Sequence, residues 1–444
     1  MQYHTVSLAD MPGASVSLVG YTGEECIAAV EDHECVRKCL ISPPSWTKKL
    51  PRSLFLLVAP LKVIQQILQL FWVLLVVVSP PDAILVQNPP AIPALMVRPR
   101  IPFLIARKAD NFNLAQVVWI VSILRGCVVV VDWHNLGYTV LAENSLGASH
   151  PVVSIARWYE QLFGSRFGAH LCVTRSFRGW LKDTWGIEAV VLYDKPPDFF
   201  QRTPLETRHD LFTRLRPNFK DVEQKLYGTG SGKAGETLFT TTQAGQTPVP
   251  QLRSDRPALL ISSTSWTPDE DFGLLLDALV ALDRAWVQEK TLSGSKTNGG
   301  SFPHLVVVVT GKGPQRAMYE ARIAELQMHH VTVKTMWLEA ADYPLLLGAA
   351  DLGVCLHTST SNLDLPMKVV DMFGCGLPVC AVGFDCLAEL VRHDFNGLVF
   401  DNSEQLAVQC EKLLAKFPAD CSELQRLSEG VEVFGDCRWQ DNCE

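Results

Sequence analysis

The sequence lacks the patterns that mark secreted or lumenal proteins. None of its asparagines lies in an Asn-x-Ser/Thr glycosylation site, and no positively charged and then apolar signal segment opens the chain. Its 13 cysteines include no Cys-x-x-Cys pair and no accompanying histidine spacing. We therefore expect reduced thiols in the cytosol rather than disulfides or a zinc site.

Positive charge and long apolar runs are also scarce. The net charge of -8 argues against a dedicated nucleic-acid-binding protein. The apolar stretch 54–78 is interrupted by Lys62, Gln65, Gln66 and Gln69 at helical spacing, and its uninterrupted part, 70–78, is far shorter than the roughly 20 residues that span a bilayer. The stretch predicts a helix that lies in a membrane interface, or one that packs on the sheet of its own domain, and both can hold.

The second half of the chain alternates apolar strands with helical patterns, which is typical of a parallel α/β domain. Strands are predicted at 258–261, 305–309 and 352–356. Ligands bind at the carboxyl edge of such sheets, so the loops after these strands are candidate binding loops. Their candidate residues are Ser263, Thr264, Gly311, Gly313, Lys368 and Asp371.

Lys368 and Asp371 are predicted on the first turns of a helix, three residues apart on one face. A lysine there can neutralise a diphosphate at the helix N-terminus, and a carboxylate can accept hydrogen bonds from a ribose. A solvated ion pair explains the spacing equally well. Gly311 and Gly313 would let backbone N–H groups approach a phosphate, or form only a strand–helix turn.

The loop 262–271 contains three carboxylates but no lysine or arginine. Asp269, Glu270 and Asp271 could hold sugar hydroxyls, although the dipole of the following helix also explains them. The order Thr-Pro-Asp-Glu at 267–270 predicts a capping box. Neutralisation of a bound diphosphate would then rest on Lys368, the helix N-terminus and the loop hydroxyls.

His134 follows a predicted valine-rich strand and lies two residues after Asp132. Imidazole exchanges protons near neutral pH, so His134 is a candidate general base. Asp132 would orient it or replace it as the base. A purely structural loop histidine is the alternative.

Two segments interrupt the α/β pattern. Residues 97–116 combine prolines with mixed charges and are interpreted as an insertion. Residues 201–256, rich in glycine, threonine, glutamine and charge, predict a disordered loop or linker. The chain thus divides into an N-terminal domain, 1–200, a C-terminal domain, 257–430, and a divergent tail, 431–444.

Seven motifs follow one another in a specific order. They are DWHNLGY (132–138), ARWYE (156–160), YDKP (193–196), SSTSWTPDED (262–271), TGKGP (310–314), DYPLLLG (342–348) and DLGVCLH (351–357). The segment 357–380 resembles the sugar-nucleotide site of GT-B glycosyltransferases. Together the motifs resemble the chitobiosyldiphosphodolichol beta-mannosyltransferases, loosely over 1–95 and closely over 117–200 and 257–415. The fold that this resemblance implies is GT-B, an α/β architecture of two facing Rossmann-like domains with a cleft between them.

The resemblance implies an inverting transfer of the first β-1,4-mannose from GDP-mannose to GlcNAc2-diphosphate-dolichol. The enzyme would act at the endoplasmic reticulum membrane with its catalytic domains facing the cytosol, and other mannosyltransferases of the pathway are possible partners. No Asp-x-Asp pair directly follows a predicted strand, and a GT-B site can stabilise its leaving group without metal. The sequence leaves open whether a divalent cation, Mg²⁺ or Mn²⁺, assists the reaction.

Members of this family carry a membrane anchor, a first strand and a glycine-containing loop upstream of the segment with which this chain begins. We therefore expect an N-terminally truncated form whose first domain is marginally stable. A catalytically deficient homologue, which binds nucleotide sugar or partner transferases without transfer, is the alternative function. A retaining transferase of another sugar is a third hypothesis.

Overall fold

The chain forms two compact units, Met1–Tyr193 and Asp194–Asn442, each with its own parallel sheet. We describe them from a computed structural model. The residues it describes are 1–23, 25–42, 55–88, 112–143, 147–228, 235–243, 249–267, 270–292, 303–435, 438–439 and 441.

The described part of the first unit contains two separate parallel sheets. One pairs β1 (Val16–Tyr21) with β2 (Val36–Ile41). The other has the order β3-β4-β5-β6, formed by β3 (Ala83–Asn88), β4 (Val128–Trp133), β5 (Ala169–Cys172) and β6 (Val190–Val191). Valines on alternate positions of β4 are buried, so this strand lies in the interior of the unit.

Helices precede and follow these strands. In the segment 97–116, which was predicted to be an insertion, residues 97–111 lie outside the described residues. Residues 112–116 begin the helix Phe112–Arg125. The helices are α1 (Gln2–Ala9), α2 (Ala28–Glu31), α3 (Phe55–Trp72), α4 (Phe112–Arg125), α5 (Gly137–Leu141), α6 (Pro151–Gly164) and α7 (Arg175–Trp180), with π-helical turns continuing α3 over Val73–Val77 and α7 over Leu181–Trp185.

Helix α3 is amphipathic, but its exposed side is the apolar one. The polar positions 62, 65, 66 and 69 are half-buried, and Gln69 Nε2 donates a hydrogen bond to Ser42 O at 3.5 Å. No helix within the described ranges is long and apolar enough to cross a membrane. An apolar row along α3 and its π-helical turn is 51–63% exposed: Leu61, Ile64, Leu68, Trp72 and Val76.

The second unit is built on a six-stranded parallel sheet of order β11-β10-β9-β12-β13-β14. Side chains of β9 alternate between two apolar cores, Leu259 and Ile261 in one and Ala258 and Leu260 in the other, so both faces are covered. The strands are β9 (Ala258–Ser263), β10 (Leu305–Thr310), β11 (Val331–Met336), β12 (Leu352–Cys355), β13 (Val379–Val382) and β14 (Gly397–Phe400), beside an antiparallel hairpin of β7 (Thr240–Gln243) and β8 (Val249–Leu252).

Eight helices of this unit lie in the part of the chain that the structure describes. They are α8 (Leu205–Leu215), α9 (Lys220–Tyr227), α10 (Phe272–Leu292), α11 (Arg316–Glu325), α12 (Asp342–Ala349), α13 (Met367–Gly374), α14 (Ser403–Leu414) and α15 (Ser422–Gly435).

The described part of 201–256 is folded, which differs from the disordered linker predicted from its composition. Phe212 of α8, Phe219 immediately before α9 and Phe239 immediately before β7 belong to the core that also contains Leu259. The rings of Phe212 and Phe239 lie 4.3 Å apart. Few apolar residues are present here, but they converge on one side, and an average over the segment hides this arrangement.

The predicted tail, 431–444, is also partly built into the second unit. Val431 is buried within α15. Arg438 donates hydrogen bonds to Phe200 O at 2.8 Å and to Gly374 O at 3.2 Å, and Trp439 N donates to Pro196 O at 3.3 Å. The segment therefore joins the beginning of the unit to the carboxyl end of α13.

Candidate active site

Side-chain hydroxyl groups at the carboxyl ends of β9 and β10 are hydrogen-bonded to one another. Ser263 and Thr310 are register partners, and Thr310 Oγ1 donates to Ser263 Oγ at 3.1 Å. Ser263 Oγ also lies 3.1 Å from the Tyr343 hydroxyl. The predicted residue Ser263 thus lies at the carboxyl edge of the sheet, oriented by two other hydroxyl groups.

Glu270 is the centre of the adjacent loop and is only 2% exposed. Its Oε2 accepts hydrogen bonds from Thr264 Oγ1 at 2.8 Å and from Ser265 N at 2.6 Å. Its Oε1 accepts from Lys368 Nζ and lies 3.5 Å from His357 Nδ1. Lys368 is therefore paired with Glu270, rather than with Asp371 as the helical spacing suggested.

The ionised form of Glu270 is strongly favoured. Burial by itself would raise the pKa of this carboxyl group. The hydrogen bond from His357 and the positive charge and hydrogen bond of Lys368 outweigh burial and lower the pKa to about 2. At neutral pH the loop between β9 and α10 thus holds a buried anion that positions Lys368.

Gly311 and Gly313 are required by contact between two loops. Gly311 has φ +127, and a Cβ atom there would lie 1.9 Å from Thr264 O. At Gly313 it would lie 1.8 Å from Ser265 O. Trp266 Nε1 also donates to Gly311 O at 3.3 Å. The two predicted binding loops therefore lie against each other, which the sequence argument for glycine did not anticipate.

Helix α10 begins at Phe272, later than the predicted capping box implies. Asp271 Oδ1 accepts from Gly273 N at 2.9 Å and so caps the helix. Glu270 cannot complete a capping box with Thr267 because its carboxylate is bound to Thr264, Ser265 and Lys368. Residue 269, the third carboxylate of the prediction, lies outside the described residues.

Asp371 lies on the same helix as Lys368, but its carboxyl group is in a different environment. Burial, with the nearby negative charge of Asp194, raises its pKa to about 7. Near neutral pH this group is therefore divided between its neutral and ionised forms.

In the first unit, two imidazoles converge on one carboxylate oxygen. Asp132 lies near the end of β4 and is 2% exposed. Its Oδ2 lies 2.7 Å from His134 Nε2 and 3.0 Å from His4 Nε2. The sequence paired Asp132 with His134, but His4 was missed because it lies 128 positions earlier.

The charge of Asp132 determines the direction of both hydrogen bonds. Burial opposes ionisation, but the two imidazole contacts outweigh it and hold the pKa of Asp132 well below its usual range. An ionised carboxylate can only accept, so His134 and His4 both donate through Nε2. Nδ1 is then the nitrogen of His134 that can take up a proton, and Asp132 itself is a poor base.

The same three residues could also hold a metal ion, since their ligand atoms lie within 4.8 Å of one another. Two imidazoles and one carboxylate suit zinc better than the Mg²⁺ or Mn²⁺ considered from the sequence. The contacts at 2.7 and 3.0 Å are already complete hydrogen bonds. The geometry therefore fits hydrogen bonding without an ion.

Glu160 explains why the segment after His134 turns as it does. Its carboxyl group accepts from Gly137 N at 2.9 Å and Tyr138 N at 3.2 Å, and Asn88 Nδ2 donates to it as well. Burial raises its pKa despite these hydrogen bonds. Glu160 thus ties α6 to the first turn of α5.

The chain is similar to known proteins along its whole length. Residues 295–416 match the family model described as Glycosyl transferases group 1. The chain is 42% identical to the human chitobiosyldiphosphodolichol beta-mannosyltransferase over 448 residues, which cover 100% of this chain and 87% of that protein. The chain belongs to the chitobiosyldiphosphodolichol beta-mannosyltransferase family. It is a glycosyltransferase, which confirms the prediction from its motifs.

Two further relatives extend this similarity. The protein of the same name from Dictyostelium discoideum is 37% identical, with 91% of this chain and 79% of that protein covered. The UDP-glycosyltransferase TURAN of Arabidopsis thaliana is 43% identical, with 100% and 92% covered.

Solved structures confirm the predicted GT-B fold. Sucrose-phosphate synthase from Thermosynechococcus elongatus has a TM-score of 0.59 at 12% identity, and the match covers 99% of this chain and 89% of that one. HepE of Anabaena in complex with UDP has a TM-score of 0.56 at 13% identity, covering 96% and 95%. At these identities the likeness concerns the fold alone.

Proposed function

We propose that this chain transfers mannose from GDP-mannose to GlcNAc2-diphosphate-dolichol, forming a β-1,4 linkage with inversion at the anomeric carbon. The 42% identity with the human beta-mannosyltransferase along the whole chain carries the proposal. The comparisons give no support to the catalytically deficient alternative. Guanine and mannose specificity rests on the family and not on any single residue.

On the donor side, we assign charge neutralisation to Lys368. Its ammonium group is held beside the N-terminus of α13 by Glu270, and a diphosphate there would meet both the lysine and the N–H groups that open the helix. The proposed donor-binding residues are those predicted from the sequence: Ser263, Thr264, Gly311, Gly313, Lys368 and Asp371.

On the acceptor side, we assign the general base to His134. Nδ1 takes the proton of the attacking hydroxyl, while the Asp132 carboxylate stabilises the imidazolium that forms. The acceptor oxygen bonds to the anomeric carbon as the carbon–oxygen bond to the diphosphate breaks. GDP leaves with that electron pair, and Lys368 offsets the negative charge that develops on it.

The exposed apolar row on α3 supports a membrane-bound location. Leu61, Leu68 and Trp72 are more than half exposed and border an open groove of about 630 Å³ beside the end of β2. An acceptor on a polyprenol must be reached at a bilayer surface, and an in-plane helix presents such a face to lipid. We place the chain on the cytosolic side of the endoplasmic reticulum, where other mannosyltransferases are candidate partners.

The test uses the purified full-length chain, a phytanyl-linked chitobiose acceptor and radiolabelled sugar nucleotides. We expect transfer from GDP-mannose and release of the product's mannose by a β-mannosidase. UDP-glucose is the competing donor, because one relative is named a UDP-glycosyltransferase. Transfer from UDP-glucose alone would overturn the assigned donor. Donor binding without any transfer would instead support the deficient homologue.

A further inference from the structure

We propose that His4 is a positioning residue for the transfer reaction. It shares the Asp132 carboxylate with His134 and thereby fixes the orientation in which His134 presents Nδ1. This inference rests on the proposed function, because it assumes that His134 takes the proton of the acceptor.

Both histidines bind a single oxygen atom of Asp132. Both imidazoles donate to Oδ2 of Asp132, His134 from 2.7 Å and His4 from 3.0 Å. Two donors on one oxygen occupy different lone-pair directions, so the second restricts rotation of the carboxylate about its Cβ–Cγ bond. Because Asp132 is 2% exposed, water cannot readily take the place of His4 as a donor.

His4 can restrict Asp132 because its own helix is held in place. It is 8% exposed on α1, and its neighbour Thr5 is buried with its hydroxyl bonded to Met1 O at 3.0 Å. The side chain of Gln2 accepts a hydrogen bond from Ile27 N at 2.6 Å, which attaches the start of α1 to the segment that opens α2. The imidazole therefore approaches Asp132 from a fixed element.

Without His4, His134 would be the one donor to Asp132 that remains among the described residues. The carboxylate could then rotate with His134, and the proportion of molecules with Nδ1 aimed at the acceptor hydroxyl would fall. Chemistry would slow while nucleotide binding in the second unit would be unaffected. The expected signature is a lower kcat with an unchanged KM for the sugar nucleotide.

The kinetic test compares three variants of the full-length chain. His4→Phe fills the site without a donor, and His4→Gln restores an N–H donor near the position of Nε2. We expect kcat to fall about 10–100-fold in His4→Phe, part of the effect of a positioned base, and to recover to within about threefold in His4→Gln. His33→Phe is the matched control, because His33 pairs with Asp10 at 3.1 Å in the same unit.

Equal losses of kcat in His4→Phe and His4→Gln, with melting temperatures unchanged from wild type, would overturn the proposal. So would a loss expressed in KM for the sugar nucleotide rather than in kcat. If His4→Phe fails to fold, the comparison of His4→Gln with His4→Asn decides, since asparagine is too short to donate to Asp132. The proposal requires Asn to lose activity and Gln to retain it.

The contact between His4 and Asp132 can also be tested by spectroscopy, which does not require an active enzyme. In ¹⁵N-histidine-labelled wild-type protein, His4 and His134 should both show protonated Nε2 in their neutral form, with signals assigned from His4→Gln and His134→Gln. A His4 signal with unprotonated Nε2, or one zinc ion per chain that His4→Phe removes, would overturn the shared carboxylate. Absence of mannose transfer in wild type would reject the proposed function, whereas these spectra would still test the contact.

Discussion

The ammonium group of Lys368 is bound to Glu270, and we expect it to exchange this partner for the diphosphate when a sugar nucleotide binds. Lys368→Ala should therefore weaken GDP binding by about 1.5–3 kcal/mol, the range of a charge-assisted hydrogen bond. Isothermal titration calorimetry with GDP measures the change.

The control for this variant is Lys334→Ala, which removes a lysine of the same unit whose partner is the exposed Asp221. Lys368→Ala also leaves Glu270 as a buried anion with one partner fewer, so the double variant with Glu270→Gln separates loss of binding from loss of stability. An unchanged GDP affinity in a folded Lys368→Ala chain would contradict the assignment.

Asp371 should make the stability of the second unit depend on pH. Its pKa is raised to about 7 in the folded chain, above the usual value of 3.8, so the native state binds more protons than the unfolded state between these values. Stability contributed by this group is therefore present below pH 4 and lost as pH rises towards 7. Asp371→Asn should remove that slope.

Urea unfolding at pH 5 and pH 8 measures this effect. Relative to wild type, Asp371→Asn should gain about 1–3 kcal/mol on going from pH 5 to pH 8. Glu429→Gln, on the exposed part of α15, is a control from the same unit. Parallel pH profiles for wild type and Asp371→Asn would show that Asp371 is ionised throughout the range.

At the level of single residues, sequence reasoning identified groups close in the chain and missed their distant partners. Spacing brought Asp132 and His134 together, and strand order placed Ser263 and Thr264 at one sheet edge. Glu270 and His4 act through partners 98 and 128 positions away. Such contacts depend on packing between elements, which periodicity and spacing do not encode.

At the scale of elements, α3 gives a prediction for membrane binding. Replacing Leu68 and Trp72 with serine should release the chain from liposomes without lowering its melting temperature, because both side chains are already more than half exposed. Co-sedimentation with vesicles of phosphatidylcholine and an anionic lipid measures binding.

Leu74→Ser is the matched control, since Leu74 is buried in the turn that continues α3. That variant should lose stability by about 2–4 kcal/mol as a buried large-to-small change. If Leu68 and Trp72 variants aggregate instead of dissociating from vesicles, the exposed row is part of a protein core and not a lipid-binding face.

The carboxyl end of α13 depends on Arg438. Its guanidinium group donates to Gly374 O and Phe200 O, satisfying a carbonyl at the helix terminus. Arg438→Met should lower the free energy of unfolding of the second unit by about 1–3 kcal/mol. Arg322→Met, on the exposed side of α11, should change it by less than about 1 kcal/mol. Equal effects of the two variants in urea unfolding would argue against this role.

Periodicity predicted the strands of the second unit well, because continuous valine and leucine runs such as those of β9 and β10 are typical of strands buried on both faces. It failed for α8 and α9, whose core contacts come from a few apolar residues, among them Leu211, Leu215 and Val222. The linker was predicted from the average composition of the segment, whereas the burial of Phe212 and Phe219 depends on the position of each ring in the fold.

At the scale of the molecule, the second unit should fold by itself from Asp194 and not from residue 257. A fragment 194–442 keeps the cluster around Phe212 and Phe239 that covers Leu259 and Ile261, whereas a fragment 257–442 exposes it. We expect cooperative thermal unfolding of the longer fragment and aggregation of the shorter one.

Limited trypsin digestion of the whole chain provides the complementary measurement. Arg208 is 8% exposed and donates to Gly348 O at 3.2 Å, so cleavage there should be slow compared with cleavage at the exposed Lys182 of the first unit. Rapid cleavage at Arg208 would show that the segment before residue 257 is attached only loosely.

The contact between His4 and Asp132 also bears on how the chain is made. His4 leaves the ribosome 128 residues before the carboxylate that it binds. Until Asp132 emerges this contact cannot form, and closing so long a loop carries an entropic cost that local contacts do not. The Asp132 carboxylate is consequently oriented late in synthesis, after most of the first unit has been translated.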